Sequence, residues 1–328
     1  MTLYPALRGL DATKADLRDR LYTSLHHLIF EAGQGIAPDT VTQDLVSGLT
    51  REARPYPAPV VFAAHAALLK AAQAKDEAGF AAACNDLLEA APAGTAAPER
   101  PAVLRFGAPD LSRTGLRLLR PAFQDDVGLM TDLDAPDHET AEAAETALMQ
   151  ALGGLRAAAP TWHADLCGLV SQLLLAVPGP TSAGHFGGAS SFDAFGALLF
   201  NAQSLTSPEQ ALMGLVHEAA HLRLFLYHLA DPVLLNDSEA RYCSPLRREP
   251  RPMEGIFHAA WVSARMVAAA QAVRASAQAP DWSEALLPLE SGARQAFGDC
   301  LPVLQSDAQF TPFGQTLFHD AREALNAG

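Results

Sequence analysis

In the stretch Leu215-Val216-His217-Glu218-Ala219-Ala220-His221, two imidazoles and a carboxylate stand at a spacing that suits metal chemistry. Four residues advance an α-helix by about 400°, so His217 and His221 project to one side, one turn apart. Both rings can then reach one cation at about 2.0–2.1 Å. Glu218 projects beside them, within reach of a metal-bound water. The bland alternative is a pair of partly exposed histidines on an ordinary helix. A capped amphipathic helix following a strand-like run favours the metal over that alternative.

Two imidazoles rarely hold a metal alone. The next long helix offers Glu254 and His258, again four apart and on one face, so one can ligate while the other supports it. Glu254 would complete a two-His-one-carboxylate set, which fits zinc peptidases and non-haem iron oxygenases alike. His258 would give three histidines. Each also has a plain structural role open to it: an acid in a helix's first turn for Glu254, a hydrogen-bonded core histidine for His258. His228 follows His221 by seven residues on roughly the same face and is a weaker candidate, as is His185 in a glycine-rich loop. Arg247, Arg248 and Arg251 form a basic cluster just before the second helix. Guanidinium forks bind carboxylates bidentately, so a dicarboxylate could dock there; a solvated loop paired with Glu249 is the alternative.

These residues need helices to position them. Ser207-Pro208-Glu209 opens one, with Ser207 as N-cap and Pro208 at the first position, running to about Leu229 before Pro232. Another is expected from Met253 to Ala275. Upstream, Leu17, Leu21, Leu25 and Leu28 recur at helical spacing, and Ala-rich helices are expected over 60–73 and 77–91. Residues 91–101 read as a linker, 102–106 as a short strand and 107–137 as punctuated loop. Residues 138–157 read as a helix capped by Thr140, Ser171–Val177 as a short apolar run, 178–191 as loop, and Phe192–Asn201 as a half-buried strand. The fold expected is mainly α (α+β), with a small sheet beside a zincin-like metal helix. A helical region over 1–125 would precede the metal-binding region over 126–328.

The chain has 328 residues, 49% hydrophobic and 18% charged, enough to bury a sizeable core. A net charge of −14 disfavours nucleic acid and anionic membrane surfaces as partners. Cys84, Cys167, Cys243 and Cys300 form no CxxC pair, which argues against a disulfide framework or a cysteine-rich zinc site. The opening residues show no basic segment leading into an apolar run, and no stretch approaches the roughly 20 apolar residues of a membrane helix. A cytoplasmic protein is expected.

The stretch 215–221, with Tyr242-Cys243-Ser244-Pro245-Leu246-Arg247 and Pro250-Arg251-Pro252-Met253-Glu254-Gly255-Ile256-Phe257-His258 downstream, resembles the HExxH proteins encoded beside ribosomal peptide natural-product precursors. The resemblance is clearest over residues 180–270. It implies an Fe(II)- and 2-oxoglutarate-dependent β-hydroxylase acting on a precursor peptide. It also implies that His217 and His221 are iron ligands, that His258 is the third with Glu254 as competitor, and that Arg251, with Arg247 nearby, receives the 2-oxoglutarate carboxylate. Two other readings stand beside it: a zinc peptidase with Glu218 as general base, and an inactive peptide-binding module.

Overall fold

Alanine-rich runs broken by proline and glycine fold into helices along most of the chain. The computed structural model describes residues 9–37, 56–90, 100–107, 109–123, 132–182 and 186–326. In chain order the main elements are α1 (Leu10–His27), α2 (Pro59–Ala74), α3 (Glu77–Ala90), β1 (Ala102–Arg105), α4 (Arg113–Ala122), β2 (Leu133–Asp134), α5 (His138–Ala158), α6 (Pro160–Leu169), β3 (Gln172–Pro178), β4 (Gly188–Ser190), β5 (Ala197–Asn201), α7 (Pro208–His228), α8 (Met253–Arg274), α9 (Leu286–Asp307) and α10 (Pro312–Asn326). The architecture is mainly helical with one small mixed sheet, as the sequence suggests. No helix among the described residues is long and apolar enough to cross a membrane. None of the four cysteines forms a disulfide.

Two compact units share the chain. One combines Met1–Leu10, Glu142–Leu169 and Gln203–Gly328; the other combines Asp11–Ala141 and Val170–Ala202. The division anticipated between 125 and 126 falls inside the 11–141 stretch. Strand pairing is what joins distant stretches: β1 runs parallel to β3 with Ala102 opposite Gln172 and Arg105 opposite Leu175. The sheet order is β1-β3-β5-β4, with β2 added antiparallel to β3. All its strands lie in the second unit, whereas α7 and α8 belong to the first.

Three local expectations are corrected. The loop expected over 107–137 contains α4, whose first turn is closed by the Gly115 amide donating to Ser112 Oγ at 3.0 Å and whose Leu118 and Leu119 are buried. Pro121, next to last in the helix, makes the segment read as loop. The cap of α5 is Asp137 rather than Thr140: the Thr140 amide donates to Asp137 Oδ1 at 2.8 Å, which holds that carboxyl below its usual pKa. Phe192–Asn201 divides into a 3-10 turn and β5, and β5 is buried along its whole length rather than on alternate residues. It lies between β3 and β4 in the sheet, and a strand covered on both faces reads as continuous apolar sequence. The linker expected over 91–101 lies, but for its last two residues, outside the described residues, and so does His185.

In the first unit α8 packs against α7, α9 and α10. A buried ionic cluster ties three of its helices together. Asp165 on α6 pairs with Arg223 on α7 and accepts from Arg265 Nη2 on α8 at 2.7 Å. The three are 1%, 5% and 3% exposed, so the pairing sets where α7 and α8 stand relative to each other. The Arg265 guanidinium also lies over the ring of Trp162, 4.7 Å from its centroid. Beyond α7 the backbone turns at Val233, a β-branched residue at φ 65°. The Val233 carbonyl accepts from the Thr311 amide, and a side chain on Gly314 would collide with that same oxygen, so glycine is required there.

Candidate metal centre

Helix α7 begins with Pro208 at its first position, but the Ser207 hydroxyl turns to Glu209 rather than to a backbone amide. Most of the helix is buried. Its partly open positions from mid-helix onward include His217, His221, Phe225 and His228. On a helix of 3.6 residues per turn these four fall within a stripe about 80° wide. The histidines therefore line the half-open strip of a helix that is otherwise core.

Helix α8 brings His258 and Glu254 against that stripe. Ring centroids are 5.1 Å apart for His217 and His221, 5.6 Å for His221 and His258, and 5.5 Å for His228 and His258. An ion bonded to a ring nitrogen lies about 3.2 Å from the ring centre, so two rings sharing it have centres about 4.5 Å apart at a right angle and about 5.2 Å apart in a tetrahedron. The HExxH pair falls in that range, and His258 lies a few tenths of an ångström beyond it on both sides. Phe225 packs 6.2 Å from the His258 ring and walls the pocket.

The pocket keeps its imidazoles neutral. Burial lowers the His217 pKa to about 4 and that of His258 to about 3, with His228 and Arg251 adding to the effect at His258. His221 is driven well below 6.5 by burial first, then by His217, His258 and Arg251. A neutral imidazole is the metal-binding form. His258 Nε2 is buried and has no hydrogen-bond partner among the described residues. An orphaned buried nitrogen costs about 1–3 kcal/mol, and a cation relieves that cost. By type these donors suit a divalent transition metal, and the group whose ligand atoms all lie within 4.8 Å of one another among the described residues is His228, Glu254 and His258.

The acid of the motif is more enclosed than its neighbours. The Glu218 side chain is 8% exposed against 43% for His217, with Oε1 3.9 Å from His217 Nε2. Glu254 is more open, 56% exposed, and reaches both His228 and His258.

Arg251 is fixed ahead of α8 by a two-way bridge. The Tyr242 amide donates to the Arg251 carbonyl at 2.9 Å, and the Arg251 amide donates to the Tyr242 carbonyl at 3.0 Å. The Tyr242 hydroxyl accepts from Asn236 Nδ2, which also donates to the Asp307 carbonyl at the end of α9. The Arg251 guanidinium lies over Gly255, where a side-chain carbon would meet its Cζ and Nε at 3.5 Å. Burial, and to a lesser degree Arg247, lowers the Arg251 pKa. Arg247 itself is exposed.

Sequence reasoning singled out His217, Glu218, His221, Glu254, His258 and Arg251; the first three lie on α7, Glu254 and His258 on the first turns of α8, and Arg251 in the bridge just ahead of α8. It gave His228 little weight, although seven residues beyond His221 already put it on the same stripe. Tyr242 entered only as part of the stretch that carries the resemblance and Asn236 carried no signal, because their roles come from contacts with residues distant in sequence. No protein-family model matches the chain, and no curated protein matches it significantly.

Proposed function

We propose that the chain is a non-haem Fe(II)- and 2-oxoglutarate-dependent hydroxylase that acts on Cβ positions of a ribosomally made precursor peptide. His217, His221 and His258 would hold the iron. The observation that carries the reading is Arg251, a half-buried cation held by the Tyr242 bridge with its guanidinium over Gly255, in the turn of α8 that bears Glu254 and leads to His258. A cation beside a set of metal-binding histidines is repulsive to the bound ion. Its presence makes sense where an anionic co-substrate bridges the two. The resemblance of residues 215–221 and 242–258 to HExxH peptide hydroxylases supports the same reading and supplies the peptide.

Iron with 2-oxoglutarate supplies the oxidising chemistry, in which R–H, O2 and 2-oxoglutarate become R–OH, succinate and CO2. The chain's residues have simpler tasks. Three neutral imidazoles bind without first losing protons, Arg251 orients the distal carboxylate of the keto acid, and Phe225 limits water around His258. Glu218 would orient a ligand or a water rather than act as a hydrolytic base.

Incubation with Fe(II), ascorbate and 2-oxoglutarate tests this. Succinate should be released, and the release should be lost in His217→Ala and His221→Ala. No succinate above the no-enzyme control would overturn the reading. A zinc peptidase is the second reading, favoured by the enclosure of Glu218 beside His217. It requires tight stoichiometric zinc and peptide cleavage that disappears in Glu218→Gln.

A further inference from the structure

At the lower end of the histidine stripe a second set of donors converges. His228 Nδ1 lies 3.4 Å from Glu254 Oε1, and His258 Nε2 lies 3.6 Å from the same oxygen. Ligand atoms of His228, Glu254 and His258 all fall within 4.8 Å of one another. Both contacts are too long for good hydrogen bonds. The Nε2 atoms of His228 and His258 are moreover buried with no hydrogen-bond partner among the described residues. Polar clusters that serve only packing close their hydrogen bonds, because an unsatisfied buried nitrogen is costly. A cation held by His228 Nδ1, Glu254 and His258 Nε2 gives the orphaned His258 nitrogen a partner and bridges contacts too long for hydrogen bonds.

We propose that His228, Glu254 and His258 form a second binding site for a divalent transition-metal cation, apart from the His217–His221 pair, with His258 between the two. Two imidazoles and one carboxylate select late first-row ions such as Zn2+, Co2+ or Fe2+ over Mg2+ and Ca2+. The single negative charge of Glu254 offsets part of the ion's charge, and its 56% exposure leaves a side open to water. The site stands on its own residues and shares only His258 with the proposed hydroxylase centre. Because one residue faces both positions, filling one alters affinity at the other, and by linkage the effect is reciprocal.

Titration of the full chain with Co(II), followed by calorimetry and visible absorption, tests the site. The His217→Ala/His221→Ala double variant should still bind one equivalent. Adding Glu254→Gln, a change at a half-exposed side chain, should weaken that equivalent roughly a hundredfold. A double variant that keeps the wild-type circular dichroism and melting temperature yet binds no Co(II) overturns the proposal. If the double variant does not fold, His228→Ala and Glu254→Gln in the otherwise unchanged chain decide: loss or weakening of one equivalent supports the site, and unchanged stoichiometry and affinity overturn it. Should the double variant bind like the wild type, the HExxH centre fails while the second site stands.

Discussion

Arg251 is where chemistry and position meet most closely, and it yields the sharpest expectation among single residues. A charge-assisted hydrogen-bond pair contributes about 1.5–3 kcal/mol. Arg251→Ala should therefore raise the KM for 2-oxoglutarate by roughly 10- to 100-fold while leaving Fe(II) affinity within a few-fold. A fall in kcat with an unchanged KM would remove Arg251 from co-substrate binding. Glu218 separates the two readings differently. Glu218→Gln should retain most succinate release in the hydroxylase, whereas a peptidase would lose its general base and its turnover. The histidines also set a pH dependence. Their folded-state values, about 4 for His217 and about 3 for His258, lie below the ordinary 6.5. The unfolded chain therefore takes up protons first as pH falls below 6.5. Stability of the metal-free protein is fully present above that value and is lost progressively as pH drops toward 4 and then 3. Metal affinity of the folded protein should stay nearly flat from pH 8 to 5, because no proton has to leave. A steep loss through pH 6.5 in a metal titration would show that the rings are solvated.

At the scale of elements, the Asp165 cluster decides whether α7 and α8 hold their register. Asp165→Ala leaves Arg223 and Arg265 buried without their carboxylate, and breaking such a cluster costs about 3–5 kcal/mol. Chemical denaturation should show that loss, with metal affinity falling alongside because α7 and α8 no longer stand in place; an unchanged midpoint would contradict it. Much of this scale was legible in the sequence. Both ends of α7 and the start of α8 follow from Pro208, Pro232 and Pro252, and the HExxH spacing fixes which face bears the rings. The Asp165 cluster was not legible, since Asp165 and Arg265 are 100 positions apart and no local pattern links them. Helix α4 was masked by Pro121, and β5 by its lack of alternation, both cases in which tertiary burial overrides local signals.

At the scale of the molecule, each unit gathers stretches that are distant in sequence. A metal held between α7 and α8 stabilises the native state by about 2.7 kcal/mol at a hundredfold excess over Kd. Hydrogen exchange with and without metal should show added protection concentrated in 208–228 and 253–274, and little in the strands 102–105, 172–178 and 197–201. Protection spread equally through the strands would place the ion elsewhere. The net charge of −14 leaves Arg247, Arg248 and Arg251 as a local basic cluster in an acidic chain. Raising salt from 50 to 500 mM should therefore weaken 2-oxoglutarate binding only several-fold, since Arg251 itself is half-buried.

The most direct measurement is the visible spectrum of the anaerobic protein loaded with Fe(II), recorded before and after addition of 2-oxoglutarate. A weak charge-transfer band should appear on addition, be absent in His217→Ala/His221→Ala, and require a much higher 2-oxoglutarate concentration in Arg251→Ala. No band at saturating keto acid, in a protein that instead retains one tightly held zinc, would contradict the account.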